Sequence, residues 1–505
     1  MNDEGWPRSR EARTPAEAQT ALVLEEYGNY VEPGPPDWDE TGGIRYFVRR
    51  GFVLAREESA ARAREILAAA GFRPRDDAGR IAAPHPGAEQ RPEEPRDDAG
   101  RIAAPHPGAE RRPEEPRDDA ERTAAPHPGA ERRPEEPRDG DAFHGLRYLR
   151  IGAGRSVFDA LRVLRNGLFD GEGRRTHDPL SPGDVGPEHL LHLTDHTGVC
   201  PADEPGHVPP HTPPDPPPTG EHRAGEGIRI LVIDTGLDPK AAAKPWLAGV
   251  TGDPDPGVGG GRIKRYAGHG TFIAGVIRTV APAAEVIVRA GLPGSLFGPA
   301  TNPPGTAFER ELAASLEHGL VHDHPDVISL SAGTLTDDPA KLMVLDAFHD
   351  SFLHRYKGVV LVAAAGNDGG RAPFWPAASR WAVGVGALAA HWRARAGFSN
   401  FGSWVDVYAP GERLVNAFPS GMYTYTEPPR RGVRQRFEGM ATWSGTSFST
   451  PMVAGLIAAR MSCTGENGPA AAAALIAQAR RDAIPGVGAV LLPPPGQPHH
   501  CRINE

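Results

Sequence analysis

Hydrophobic and polar positions keep two different rhythms along this chain. From residue 227 onward apolar residues run without interruption, in IRILVID (228–234), AEVIVRA (284–290), DVISLS (326–331), GVVLVAAAGN (358–367) and WAVGVGAL (381–388). Such runs predict strands buried on both faces, as parallel strands are. Between them, FERELAASLEHGL and AKLMVLDAFHDSFLHRY carry helical spacing. The alternation predicts a doubly wound, mainly parallel α/β sheet over residues 227–490, with its sites at the carboxyl ends of strands.

Upstream the apolar stretches are shorter and mixed with charge. IRYFVRRGFVLA (44–55) predicts one or two strands, and a helix from Glu57 to Ala70 is closed by Gly71. LRYLRI (146–151) predicts a strand, RSVFDALRVLRNGL a helix with Val157, Phe158, Leu161 and Leu164 on one face, and EHLLHL (188–193) a last strand. These elements compose a smaller α+β domain split into 41–74 and 143–198. The interruption, 75–142, holds three near-copies of a 21-residue unit, RDDAGRIAAPHPGAEQRPEEP, starting at Arg75, Arg96 and Arg117. It has almost no aliphatic side chains to offset the entropy of ordering, so disorder is expected there, and its PHP histidines hold no ligand geometry. Residues 1–40 are expected to be a disordered N-terminus, 491–505 a tail, and the proline-dense 199–226 an exposed, semi-extended linker. His499, His500 and Cys501 read as part of the exposed tail, not as a metal site.

Composition narrows the functional classes. At 505 residues the chain exceeds one ordinary domain. A net charge of −10, with no Lys/Arg stripe along a helix, argues against a nucleic-acid partner. No stretch approaches the length of a membrane span, and the first residues lack the apolar core of a secretory signal, so a cytoplasmic location without membrane contact is expected, with secretion by another route as the alternative; a monomer is expected. Cys200, Cys463 and Cys501 lie far apart with no zinc spacing, which predicts free thiols.

Four motifs fall at strand ends or helix starts. LVIDTG places Asp234 where a buried strand leaves the sheet, AGHGTFIAGVI places His269 at the start of an apolar helix, VAAAGNDGG places Asn367 after a strand, and SGTSFSTP contains Ser447. Pro451 has no N–H for the carbonyl of Ser447, so a helix can begin there without losing an interior bond. Ser447 then sits at a helix N-terminus, where free amides favour developing negative charge. Singly, these residues could be a turn, a loop histidine and an N-cap. Together they are in the order Asp, His, Ser, with an Asn between the last two. A single DTG loop argues against an aspartic protease, and a histidine preceding the serine argues against an α/β-hydrolase esterase.

With those four blocks, SLSAG (329–333), WPAAS and FSNFG..VDVYAPG, residues 227–490 resemble a subtilisin-type serine protease of the subtilase family. The resemblance implies a serine endopeptidase acting on polypeptides. Ser447 would be nucleophile, His269 general base, Asp234 the partner that orients it, and Asn367 the oxyanion donor. Ser331, Ala332, Gly333, Ala365 and Gly366 would line the substrate cleft. No metal ligand is assigned and no cofactor is expected, since calcium rests on the resemblance alone and no EF-hand-like loop appears. Phe272, Phe448 and Ser449 depart from the commoner family residues. The split domain resembles a prodomain, implying a folding assistant and inhibitor removed by cleavage in the proline-rich linker; a permanent recognition module is the alternative. A catalytically silent scaffold that binds a partner peptide is the other functional reading.

Overall fold

The computed structural model describes residues 20, 23–24, 28–36, 43–72, 137–152, 154–192, 203–291, 306–339 and 341–493. The repeats through residue 136, residues 1–19 and the tail from 494 lie outside them. In the N-terminal unit, β1 (Val31–Gly34) pairs antiparallel with β2 (Tyr46–Arg49). β3 (Phe52–Arg56) leads into α1 (Glu57–Ala69). β4 (Ala142–Phe143), β5 (Leu146–Arg150), α2 (Val157–Asn166), the small hairpin β6 (Leu168–Phe169) and β7 (Arg175–His177), β8 (Val185–Gly186) and β9 (Leu190–His192) follow. The main sheet of this unit is antiparallel in the order β4-β5-β3-β8.

Strand alternation sorts its side chains between two cores. Val53, Ala55 and Leu149 pack with Ile66, Leu161 and Leu164 of the two helices. Phe52, Leu54, Leu146 and Tyr148 point the other way and join the core of the larger unit. The split α+β arrangement follows the sequence expectation, with three differences. Val31–Gly34, expected to be disordered, is a paired strand. Residues 137–142, assigned to the repeats, belong to the fold, for Gly140 N–H donates to the Tyr148 carbonyl at 2.7 Å. The strand expected from EHLLHL leaves the unit's own sheet and pairs elsewhere.

The larger unit contains β10 (Arg229–Ile233), β11 (Thr251–Gly252), β12 (Val258–Gly259), β13 (Arg262–Ile263), α3 (His269–Val280), β14 (Glu285–Arg289), β15 (Thr306–Phe308) and α4 (Glu309–His322). Then come β16 (Val327–Leu330), β17 (Thr334–Leu335), α5 (Met343–Ser351), β18 (Val360–Ala364), β19 (Phe374–Trp375), β20 (Ala382–Leu388), β21 (Val407–Pro410), β22 (Leu414–Thr424), β23 (Arg434–Trp443), α6 (Thr446–Thr464) and α7 (Gly468–Arg481). Seven parallel strands form one sheet in the order β11-β14-β10-β16-β18-β20-β21. Successive residues Ile230 to Ile233 are all buried, so both faces of the sheet are covered. β10, first in sequence, lies near the middle, and the chain winds outward from it in both directions. This is the doubly wound sheet the apolar runs predict.

The proline-rich stretch is not an exposed linker. Gly206 and Thr442 exchange backbone bonds at 2.7 and 2.9 Å, and Asp215 and Val415 at 2.9 and 3.0 Å, so residues 203–216 form a strap along β22 and β23. Buried Glu204 pins it, accepting from Tyr423 Oη at 3.0 Å, Thr426 N and Oγ1 at 3.0 Å each, and Glu427 N at 3.1 Å. Prolines lack donors, but these contacts are made by the carboxylate and by the non-proline backbone. Cys463 is disulfide-bonded, which corrects the expectation of a free thiol there, while Cys200 and Cys501 lie outside the described residues. Among the described residues no helix is long and apolar enough to cross a membrane.

Candidate active site

Each motif residue sits where an element changes direction. Asp234 directly follows β10, and His269 opens α3. Both are fully buried, and His269 Nδ1 lies 2.9 Å from each carboxylate oxygen of Asp234. Thr235 N–H also donates to Asp234 Oδ1 at 2.7 Å, fixing the carboxylate in its turn. Ser447 is the second residue of α6. Its carbonyl, which Pro451 leaves without a helical donor, accepts instead from Ser331 Oγ at 2.9 Å. The proline thus frees an acceptor that ties the Ser447 turn to the end of β16.

Asn367 is oriented from behind. Its Oδ1 accepts from Thr446 N at 2.8 Å and Thr446 Oγ1 at 3.0 Å, which sets the amide so that Nδ2 is the outward group. Asn367 Nδ2 and His269 Nε2 are both buried without a hydrogen-bond partner. Unpaired buried polar atoms are costly, and these two flank the start of α6. Gly366, whose φ is +88°, turns the chain just before Asn367 and donates its N–H to Thr446 Oγ1 at 3.1 Å.

The residues expected to line a cleft differ in their contacts. Gly333 exchanges backbone bonds of 3.0 and 2.8 Å with His192, at the end of β9. β9 is itself antiparallel to β15, with Leu190 opposite Phe308 and His192 opposite Thr306. The last strand of the N-terminal unit is therefore seated between β15 and Gly333 as an extended peptide. Ala332 is buried, and Ala365 donates its N–H into the sheet, to Val385 O at 2.9 Å, not toward the cleft.

Polar contacts extend this docking. Glu309 Oε1 accepts from His189 N at 2.9 Å and lies 3.0 Å from His189 Nδ1, while Arg165 reaches both oxygens of Asp338 at 2.8 and 2.9 Å. Arg45 meets Asp337 at 2.9 Å, and Arg310 lies over the rings of Phe143 and Tyr148.

Several supporting residues carry no recognisable motif. Buried Asp255 accepts from Thr235 Oγ1, Gly257 N and Gly268 N at 2.9, 2.8 and 2.7 Å, joining the loops that hold Asp234 and His269. Burial pushes its carboxyl up to about 6 against those hydrogen bonds. Trp443 sets its ring perpendicular to His269 at 5.4 Å, and Phe448 lies 5.2 Å from the same imidazole. Phe272 and Phe448, two of the departures noted in the sequence, pack on each other at 4.5 Å. Both rings lie on the histidine side of the site. Among the described residues, no group of three or more His, Cys, Asp or Glu side chains is placed to hold a metal ion.

The subtilase family profile matches residues 225–489. The chain is 31% identical over 259 residues to the thermophilic serine proteinase of Bacillus sp. (strain AK1), covering 48% of this chain and 54% of that protein. It is 31% identical over 244 residues to thermitase of Thermoactinomyces vulgaris, covering 46% of this chain and 74% of that one. The chain thus spans about half the length of the first of these relatives. The crystal structure of a cold adapted subtilisin-like serine proteinase is similar at 23% identity and a TM-score of 0.40, over 54% of this chain and 91% of that one. With more than half of its residues matched by the family profile, the chain belongs to the subtilase family.

Proposed function

We propose that the protein is a serine endopeptidase working through Asp234, His269 and Ser447, and that its N-terminal unit is an inhibitor removed by self-cleavage. Ser447 Oγ attacks the carbonyl carbon of an extended peptide as His269 Nε2 takes its proton. Asp234 holds the imidazole by Nδ1 and stabilises the imidazolium. The oxyanion is met by Asn367 Nδ2 and the Ser447 backbone N–H. Collapse breaks the C–N bond, the proton passes from His269 to the leaving amine, and water then hydrolyses the acyl-enzyme by the same route. The observation that carries this reading is the pair of buried, unpartnered atoms, His269 Nε2 and Asn367 Nδ2, beside the helix start that presents Ser447.

Inhibition rests on β9, which fills the cleft edge at Gly333 where a substrate strand would pair. The chain enters the cleft at His192, and by Asp203 it is already bound to the segment leading to Ser447. Cleavage therefore falls between residues 193 and 202, not within the strap. Mass spectrometry of the wild type beside Ser447→Ala tests this: the wild type should lose an N-terminal fragment ending in that window, and the variant should stay whole. Identical full-length masses, or a cut that persists in Ser447→Ala, would refute self-cleavage. A disulfide at Cys463 persists in oxidising surroundings, so we place the working enzyme outside a reducing cytosol. Equal alkylation of the native chain with and without reductant would refute that placement.

A further inference from the structure

The cleft has two walls, and both are tied to the nucleophile turn. Ser331–Gly333 is joined to it by Ser331 Oγ on the Ser447 carbonyl at 2.9 Å, and Ala365–Gly366 by Gly366 N on Thr446 Oγ1 at 3.1 Å. A peptide running along Gly333, as β9 does, and presenting a carbonyl to Ser447 and Asn367 would, on the endopeptidase reading, direct the side chain of that same residue between the walls.

That space is already occupied by an aromatic ring. A β-carbon at Gly333 would come within 2.4 Å of Phe374 Cε1, and one at Gly366 within 3.0 Å of Phe374 Cγ. The ring therefore reaches from one wall to the other, and only the bare glycines admit it. Phe374 is 1% exposed, and its backbone is fixed by the β17–β19 pairing, where it lies opposite Leu335. Packed rings yield little to an incoming group, because overpacking forces off-rotamer side chains or backbone shifts.

We propose that Phe374 closes the bottom of the pocket for the residue on the acyl side of the scissile bond, and that the enzyme accepts polypeptides with a small side chain there. Alanine, serine and glycine fit above the ring; leucine, phenylalanine and tyrosine collide with it. This inference rests on the endopeptidase reading and adds the substrate class to it.

The test uses the full chain and two internally quenched peptides that differ only in that acyl-side residue, alanine or phenylalanine. The wild type should favour alanine in kcat/KM by about 100-fold, and Phe374→Ala should shrink that ratio by about tenfold or more. A wild type that cleaves both peptides at similar rates, or a variant with an unchanged ratio, would overturn the proposal. If Phe374→Ala fails to fold, the wild type alone decides: sequenced products of a denatured protein mixture should end in small residues, and a majority ending in large aromatic ones would overturn it. Labelling of Ser447 by a fluorophosphonate, which has no acyl-side residue, keeps the two readings apart. A labelled enzyme with the wrong preference removes only the pocket assignment, whereas no labelling and no cleavage removes the endopeptidase reading beneath it.

Discussion

Asp203 offers the sharpest test of how the strap serves the site. Its carboxylate accepts from Ser444 N and Ser444 Oγ, each at 3.1 Å, and its backbone carbonyl accepts from Trp443 Nε1 at 2.7 Å. Ser444 lies three residues before Ser447, and Trp443 backs His269, so one residue braces both halves of the proposed machinery. In Asp203→Ala the Ser444 N–H, on a residue only 5% exposed, loses its acceptor. An unpaired buried N–H plus one lost hydroxyl bond should cost about 2–4 kcal/mol. For a domain of this size that lowers Tm by about 4–8 °C. The loosened turn should also lower kcat by about tenfold, equivalent to about 1.4 kcal/mol of lost positioning. Asp203→Asn behaves differently, because Oδ1 can keep the Ser444 N–H while Nδ2 donates to Ser444 Oγ.

Burial pushes the Asp203 carboxyl up to about 6, with the Ser444 hydrogen bonds opposing. A raised carboxyl means that the folded state holds its proton where the unfolded chain has released it. Ionised Asp203 therefore costs stability that grows as pH rises from about 4 to about 6. Asp203→Asn escapes that cost, so its Tm should match the wild type near pH 4 and exceed it above pH 6. Thermal melts across that range, with kcat and KM on one peptide substrate, read out both effects. An alanine variant with wild-type kcat and Tm, or an asparagine variant as damaged as the alanine one, would refute the reasoning.

Asn367→Ala should leave KM nearly unchanged and cut kcat by about 10²–10³-fold, the scale established for such an oxyanion donor in subtilisin itself, a member of the same family; steady-state kinetics checks it. Burial, opposed by Arg49, pushes the Glu311 carboxyl up to about 7, so the docked state binds a proton that a solvated carboxyl would release. The hold of the uncleaved N-terminal unit should then be full below about pH 4.5 and weaken as pH rises toward 7. Glu311→Gln should flatten that dependence, read as residual peptidase activity of the uncleaved chain against pH.

The strands of the large sheet were legible because burial on both faces leaves an unbroken apolar run, as in Ile230–Ile233. The proposed triad was legible because each member lies in a short motif whose glycines and proline have local causes. Pro451 announced the helix start at Ser447, and the carbonyl it leaves free is the one Ser331 now meets. What escaped were residues whose partners lie far away in sequence. Glu204 sits in a stretch that reads as a polar linker, yet its acceptors are filled by Tyr423, Thr426 and Glu427, more than 200 residues onward. No local periodicity encodes such pairings. EHLLHL read correctly as a strand, but its partner β15 is set by the shape of the cleft edge, not by its own pattern. Phe374 lies in none of the motifs read from the sequence, and its nearness to Gly333 and Gly366 emerges only in the folded chain.

The two ends of the N-terminal unit contribute to docking in different ways, and the difference bears on release. β9 binds by backbone hydrogen bonds to β15 and Gly333, which any extended peptide can reproduce and which do not choose among sequences. Selectivity for this unit must come from side chains: the apolar face of Phe52, Leu54 and Tyr148, and the pairs Arg165–Asp338, Arg45–Asp337 and His189–Glu309. These contacts belong to the folded unit, and its fold keeps them aligned. If the chain is cut beyond His192 as proposed, unfolding or digestion of the unit removes the side-chain contacts together. β9 alone then competes with substrate on equal terms, because what remains is the sequence-tolerant backbone pairing that substrates use. The proposed inhibitor, a generic strand on a specific domain, would therefore be strong while folded and weak once it is not.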